Sequence, residues 1–244
     1  MDPDKSLSAC ARRPGGTPAH VECETFGPQQ YGPQQNGRSL LNVVRAPIAR
    51  ALAPVGSALD RLGVSPDTVT VVGTLGVSVG ALAFYPRGSF FWGTIFITCF
   101  VFSDMVDGAV ARARGGGSRW GAFLDSTLDR VGDAAVFGGL LLWYAGRGDD
   151  LLLAAVALWC LVAGALTSYI KARAEGLGLR CDVGIAERSE RLITILLATG
   201  LSGLFDLPVL RAGALWVLAA ATAVTVAQRL AAVRRQSLAE VPGR

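Results

Sequence analysis

Residues 151–170 read LLLAAVALWCLVAGALTSYI, twenty consecutive positions without a charged side chain. At about 1.5 Å of rise per residue such a run, as a helix, is about 30 Å long, which matches the hydrocarbon core of a bilayer. A helix this apolar on every side is not a surface helix of a soluble domain, which keeps a polar face. Five more apolar runs flank it, at 68–86, 88–103, 131–146, 192–204 and 212–228. The expected fold is therefore all-α, an integral membrane protein of six transmembrane helices. The fifth run is the shortest and reaches spanning length only by extending through charged residues at one end. Composition agrees: 51% of the 244 residues are hydrophobic, 17% are charged, and the mean hydropathy is +0.42.

Six spans put both termini on one side, and all but three of the 23 lysines and arginines then fall on that side. Only Arg87, Arg147 and Arg211 lie opposite. Basic loops stay in the cytoplasm, so both termini are expected there, in a multi-pass protein of the cell membrane. The opposite face reads as almost featureless. The net charge of +4 calls for no nucleic-acid partner, because topology and anionic headgroups account for the same arginines. Cys10, Cys23, Cys99, Cys160 and Cys181 are scattered without CxxC spacing, which implies neither a disulfide framework nor a zinc site. The first apolar block is far downstream and the chain starts acidic, proline-rich and glycine-rich, unlike a cleavable signal.

Residues 1–38 contain the repeat GPQQ at 27–30 and 32–35 in a polar stretch that cannot bury a core, and are expected to be a disordered tail. Over 39–64 apolar residues recur at helical spacing, with Arg45, Arg50, Asp60 and Arg61 between them. This suits an amphipathic helix lying in the membrane interface, bent or interrupted at Pro47 and Pro54. The membrane domain is expected over 65–235, followed by a solvated cytoplasmic tail, 236–244. Within the first span Gly73, Gly76 and Gly80 suit close helix packing.

Residues 103–133, between the second and third spans, read SDMVDGAVARARGGGSRWGAFLDSTLDRVGD. Asp104 and Asp107 are three apart and Asp125 and Asp129 four apart, so each pair shares one face of a helix. Four carboxylates can thus meet between two adjacent helices. Each costs about 2.5–3.5 kcal/mol at the centre of a membrane, so four unpaired ones would cost about 10 or more. Arg112 and Arg130 can neutralise part of this, with Asp133 as a further partner of Arg130. The mutual repulsion is best relieved by a hard divalent cation, which takes oxygen ligands. The only histidine, His20, lies in the tail, which argues against zinc and against an imidazole base. Gly108 and Ala111 leave room beside the carboxylates, and the Arg112 fork suits a phosphate, so a diphosphate fits there. The Gly115-Gly116-Gly117-Ser118 turn reads equally as a connector or as a phosphate cradle.

The pattern DxxDGxxARx8GxxxDxxxD, running through Asp104, Asp107, Gly108, Ala111, Arg112, Gly121, Asp125 and Asp129, resembles the signature of the CDP-alcohol phosphatidyltransferases. The resemblance implies a homodimer of six-helix subunits, with Mg2+ or Mn2+ at Asp104, Asp107, Asp125 and Asp129. It also implies that Asp129 is the base and that Gly108, Arg112 and Ser118 contact CDP-diacylglycerol. The segment Ser65-Pro66-Asp67-Thr68 looks like the family's nucleotide-contacting segment, although many members carry Asn where this chain has Asp67.

The loop after the fourth span places Ser168, Lys171, Arg173, Arg188 and Arg191 on the active-site side. A basic excess is ordinary for a cytoplasmic loop, but its density here suggests an acceptor that already bears phosphate. The pattern resembles the phosphatidylinositol phosphate synthases within the family. That implies a pocket of Ser168, Lys171, Arg191 and Arg229 for inositol 3-phosphate, with phosphatidylinositol phosphate and CMP as products of phospholipid biosynthesis. Glycerol 3-phosphate is the rival acceptor. An ion transporter relaying protons through buried aspartates, and a purely structural scaffold, are the alternatives from other classes. The first needs polar residues continuing to both faces, and the second gives no reason to gather four acids.

Overall fold

The computed structural model describes residues 63, 65–101, 118–185 and 187–239. The expected tail at 1–38, nearly all of the expected interfacial helix, and Asp104, Asp107, Gly108 and Arg112 lie outside the described residues. Among the described residues there are six α-helices and no strand. They are α1 Pro66–Phe84, α2 Phe90–Val101, α3 Arg119–Ala145, α4 Leu151–Glu175, α5 Arg188–Phe205 and α6 Pro208–Ala239.

Several helix ends are set by local chemistry. Ser65 caps α1 by accepting the Thr68 N–H at 3.1 Å, with Pro66 in the first turn. A 3-10 turn, Tyr85–Arg87, closes α1, and Gly88 at φ +81° reverses the chain into α2. Ser118 caps α3 and Asp150 caps α4. A reciprocal pair, Glu187 with Glu190, opens α5, so this helix extends through its charged end as expected. Asp206 ends α5 in the left-handed region at φ 53°. The last helix continues to Ala239, past the expected limit at 235, and Gln236 brackets Arg180 by accepting its N–H at 2.9 Å and donating to its carbonyl at 2.6 Å.

The helices pack as a closed ring in the order α1, α3, α4, α6, α5, α2. Glycines set the closest approaches. A methyl group on Gly76 or Gly80 would overlap the Phe100 or Phe96 ring of α2, and one on Gly139 would lie 2.6 Å from the Ala81 carbonyl oxygen of α1. Inside the ring, Ala81, Tyr85, Ile97, Leu140, Ile195 and Leu215 are fully buried. Buried hydroxyls there turn back on their own helices: Thr222 donates to Leu218 O at 2.7 Å and Thr167 to Gly164 O at 2.8 Å. Large apolar side chains such as Leu75, Val79, Val162, Trp216 and Val217 instead face outward. Three helices, Pro66–Arg87, Leu151–Glu175 and Pro208–Ala239, are long and apolar enough to cross a membrane, and Phe90–Val101 is a shorter apolar helix. This outward apolar surface marks the chain as a membrane protein.

Candidate active site

One end of the ring collects the starts of α1, α3 and α5 and the ends of α4 and α6. The caps of α1 and α3 meet there. Ser118 Oγ accepts the Gly121 N–H at 2.8 Å, and Ser65 Oγ lies 2.8 Å from Thr68 Oγ1. A side chain on Gly121 would sit 3.2 Å from Ser118 Oγ and 3.3 Å from Asp67 Oδ1. The lack of a Cβ at Gly121 thus leaves room for Asp67 beside Ser118, two of the expected contact residues.

One turn further along α3 stands the exposed Asp125, and one turn beyond it Asp129, whose side chain is 18% exposed. Asp129 lines a narrow cleft of about 10 Å3 with Thr74 and Val77 of α1, Val101 of α2, and Arg188 and Leu192 of α5. That is room for roughly one water molecule. Arg188 brings Nη2 to 2.8 Å from Asp129 Oδ1 and Nε to 3.3 Å from Asp133 Oδ1. Arg191, 3% exposed, places Nη2 3.4 Å from Asp133 Oδ2 and donates through Nη1 to Thr167 Oγ1 at 3.3 Å. The expected pairing of Asp133 with Arg130 is therefore corrected, since Asp133 serves the two arginines of α5. It points into the ring toward α5, whereas Arg130 turns toward α4, donating to Ser168 Oγ and lying 3.8 Å from Asp129 Oδ2.

Of the four residues expected to hold the acceptor phosphate, Arg191 and Arg229 meet at Thr167, next to Ser168. Arg229 donates through Nη1 to the Thr167 carbonyl and through Nε to Val183 O at 2.9 Å. Gly184, at φ +140°, allows that loop to close, because a Cβ there would lie 2.6 Å from Thr225. Lys171 lies one turn past Thr167, with Nζ 2.8 Å from Asp182 and 3.8 Å from Glu175. The Lys171 hydrogen bond and charge hold the Asp182 carboxyl below the usual carboxylate range. Arg188, expected on this side from the sequence, gains a specific partner in Asp129. Two further residues enter the site only in three dimensions: Thr167 is the hub for two arginines, and Gly164 leaves room for Arg191, whose Nη2 would lie 3.3 Å from a Cβ there. The one prior signal for Gly164 is its position a turn before Ser168.

Asp125 and Asp129 share a face of α3, and the other two signature aspartates lie outside the described residues. Among the described residues no three His, Cys, Asp or Glu side chains are close enough to hold a metal. Asp125 and Asp129 offer carboxylate oxygens, donors that suit a hard divalent ion.

An all-helical membrane ring with the Gly121, Asp125 and Asp129 part of this signature at one end is the setting of a phosphatidyl-transferring enzyme, and the chain belongs to the CDP-alcohol phosphatidyltransferase family, which it matches over residues 63–227. It is 56% identical over 208 residues to the phosphatidylinositol phosphate synthase of Streptomyces avermitilis, covering 82% of this chain and 85% of the relative. To the enzyme of the same name from Mycolicibacterium smegmatis it is 49% identical over 194 residues, covering 79% and 87%. The crystal structure of Mycobacterium tuberculosis phosphatidylinositol phosphate synthase with CDP-DAG bound is similar at a TM-score of 0.72 and 46% identity, over 75% of this chain and 94% of that one. The same enzyme in complex with manganese and citrate matches with the same score and identity, over 75% and 88%.

Proposed function

We propose that this chain transfers a phosphatidyl group from CDP-diacylglycerol to inositol 3-phosphate, releasing CMP and forming phosphatidylinositol phosphate. The observation that carries the acceptor choice is that Arg188 pairs with the signature Asp129 while Arg191 and Arg229 meet at Thr167, next to Ser168 and one turn before Lys171. Guanidinium forks pair with phosphate in a bidentate way, so a cluster of this density suits an acceptor that arrives phosphorylated. The names of the relatives support the same reading.

In this reading Ser65, Pro66, Asp67 and Thr68 contact the cytidine nucleotide, while Gly108, Arg112 and Ser118 contact the diphosphate side of the lipid. Asp129 takes the proton of the acceptor hydroxyl as its oxygen attacks the phosphorus nearest the lipid. The new phosphorus–oxygen bond forms as the bond to the CMP oxygen breaks, and CMP leaves with that electron pair. Ser168, Lys171, Arg191 and Arg229 hold the acceptor phosphate. Asp104, Asp107, Asp125 and Asp129 would hold Mg2+ or Mn2+, which when bound supplies positive charge against the diphosphate and the leaving group. All six helices span the membrane, with both termini and the site at the cytoplasmic face, and two copies form a homodimer. That depth keeps acyl chains in lipid while polar substrates arrive from water.

The test supplies purified protein with CDP-diacylglycerol and compares inositol 3-phosphate, free inositol, glycerol 3-phosphate and serine by CMP release. Turnover is expected with inositol 3-phosphate, and Asp129→Asn is expected to abolish it while the protein stays folded. A preference for glycerol 3-phosphate would overturn the acceptor assignment. Ion flux in vesicles lacking CDP-lipid would instead favour transport.

A further inference from the structure

The opposite end of the ring was expected to be almost featureless, yet two of its three arginines converge on one side chain. Arg147 lies 5.9 Å from the centre of the Trp143 ring and donates to Arg87 O at 3.0 Å, and the Arg211 guanidinium lies 6.0 Å from the same ring. Arg211, in the first turn of α6, is only 5% exposed. Its Nε donates to Tyr144 Oη at 2.8 Å and its Nη1 to Ser202 Oγ at 3.4 Å, and its guanidinium carbon sits 3.8 Å from the centre of the Phe90 ring.

None of the side chains that touch Arg211 carries a negative charge. Among the described residues no carboxylate comes within ion-pair distance of Arg87, Arg147 or Arg211, and Arg211 Nη2 makes no hydrogen bond. A buried cation without a counter-charge is unfavourable by several kcal/mol, and cation–π contacts and neutral hydrogen bonds offset only part of that. Arg211 and Arg147 both line a cavity of about 440 Å3, within the size range of ligand sites. Two helices start at this cavity, α4 at Leu151 and α6 at Pro208, so their positive dipole ends add to the arginines. Asp150 is the opposing charge on the rim, and its Oδ1 accepts the Leu153 N–H at 2.9 Å. The first turn of α6 has no acidic residue. The rest of the lining is largely apolar, with Leu153, Val209 and Ala212 beside Trp143.

We propose that this cavity binds the phosphate of an anionic phospholipid at the membrane face opposite the active site. Arg211 and Arg147 would grip the phosphate oxygens, for which a planar fork is suited, and the apolar wall would take the first carbons of the acyl chains. Tryptophan at such a depth is the usual side chain of a membrane interface. The lipid assignment rests on the six-span topology proposed above, but the phosphate site itself does not depend on which acceptor the enzyme uses.

The experiment uses the full-length protein, delipidated in a neutral detergent. Native mass spectrometry and thermal unfolding are followed while phosphatidylglycerol, phosphatidylcholine or inorganic phosphate is added to wild type, Arg147→Gln and Arg211→Gln. Phosphatidylglycerol is expected to give retained adducts and a raised midpoint in wild type, at least tenfold weaker in either variant, with phosphatidylcholine weaker than phosphatidylglycerol. Equal stabilisation by inorganic phosphate, lost in the same variants, would keep the phosphate site but overturn its lipid source. Adducts and midpoints that respond identically in wild type and Arg147→Gln would overturn the proposal. Arg147 is exposed, so that variant remains informative if Arg211→Gln does not fold. CMP release measured in parallel should be unchanged in Arg147→Gln. Its absence from every protein would count against the transferase reading alone.

Discussion

Adding one methyl group at Gly121 separates what this residue does for the fold from what it does for the site. The new Cβ would stand 3.2 Å from Ser118 Oγ and 3.3 Å from Asp67 Oδ1, so each oxygen must retreat by a few tenths of an ångström. That lengthens the 2.8 Å bond from Gly121 N to Ser118 Oγ, and losing such a cap costs about 0.5–2 kcal/mol. Replacing glycine by alanine in a helix returns about 0.8–1.0 kcal/mol. The two effects nearly cancel, leaving a net change within about 1 kcal/mol, or a shift of about 2–4 °C in the unfolding midpoint for a chain of this size. Catalysis has no such compensation. A misplacement of about 1 Å costs about 100-fold, so a few tenths should cost about 3- to 10-fold. Gly121→Ala is therefore expected to lose about 3- to 10-fold in kcat/KM for CDP-diacylglycerol with its thermal midpoint almost unmoved. Unchanged kcat/KM in Gly121→Ala, or a loss that simply follows a large fall in the midpoint, would refute the reasoning.

Gly139→Ala should behave in the opposite way: its Cβ would meet backbone, with Ala81 O at 2.6 Å, and overpacking of this kind costs about 1–3 kcal/mol. Thermal unfolding in detergent should show a clearly lower midpoint, and an unchanged one would contradict the close approach of α1 and α3. Asp182→Asn releases Lys171 from a contact that, as an exposed pair, contributes about 0.2–1 kcal/mol, so KM for a phosphorylated acceptor should fall about 1.4- to 5-fold at neutral pH. Because Lys171 holds the Asp182 carboxyl below its ordinary range, the contact is fully present above that range and is lost only as pH falls through the lowered value. The difference in KM between wild type and variant should thus be flat from about pH 6 to 8, and a difference that vanishes within that window would disprove the pairing.

Much of the site can be read along the chain because its spacing is local. Asp125 and Asp129 stand on one helical face by the 3.6-residue repeat alone, and Ser65 and Ser118 each bond the N–H three residues on, whatever the rest of the molecule does. The lengths of the apolar runs at 68–86, 151–170 and 212–228 likewise required helices of membrane-spanning character, since length and polarity are properties of the segment itself. Partner choice is not local. Asp133 and Arg130 are only three positions apart, yet α3 carries one toward α5 and the other toward α4, so Asp133 pairs with Arg188 and Arg191. Nor could spacing reveal that Gly121 is the point where two helix caps meet, or that Gly164 makes room for Arg191. Arg147 and Arg211 are far apart in sequence and looked like isolated charges until the ring closed around Trp143. Periodicity and composition specify the face a residue occupies on its own helix. Which helix stands opposite that face follows from packing around the whole ring, where glycine contacts and buried charges select among arrangements the single helices leave open.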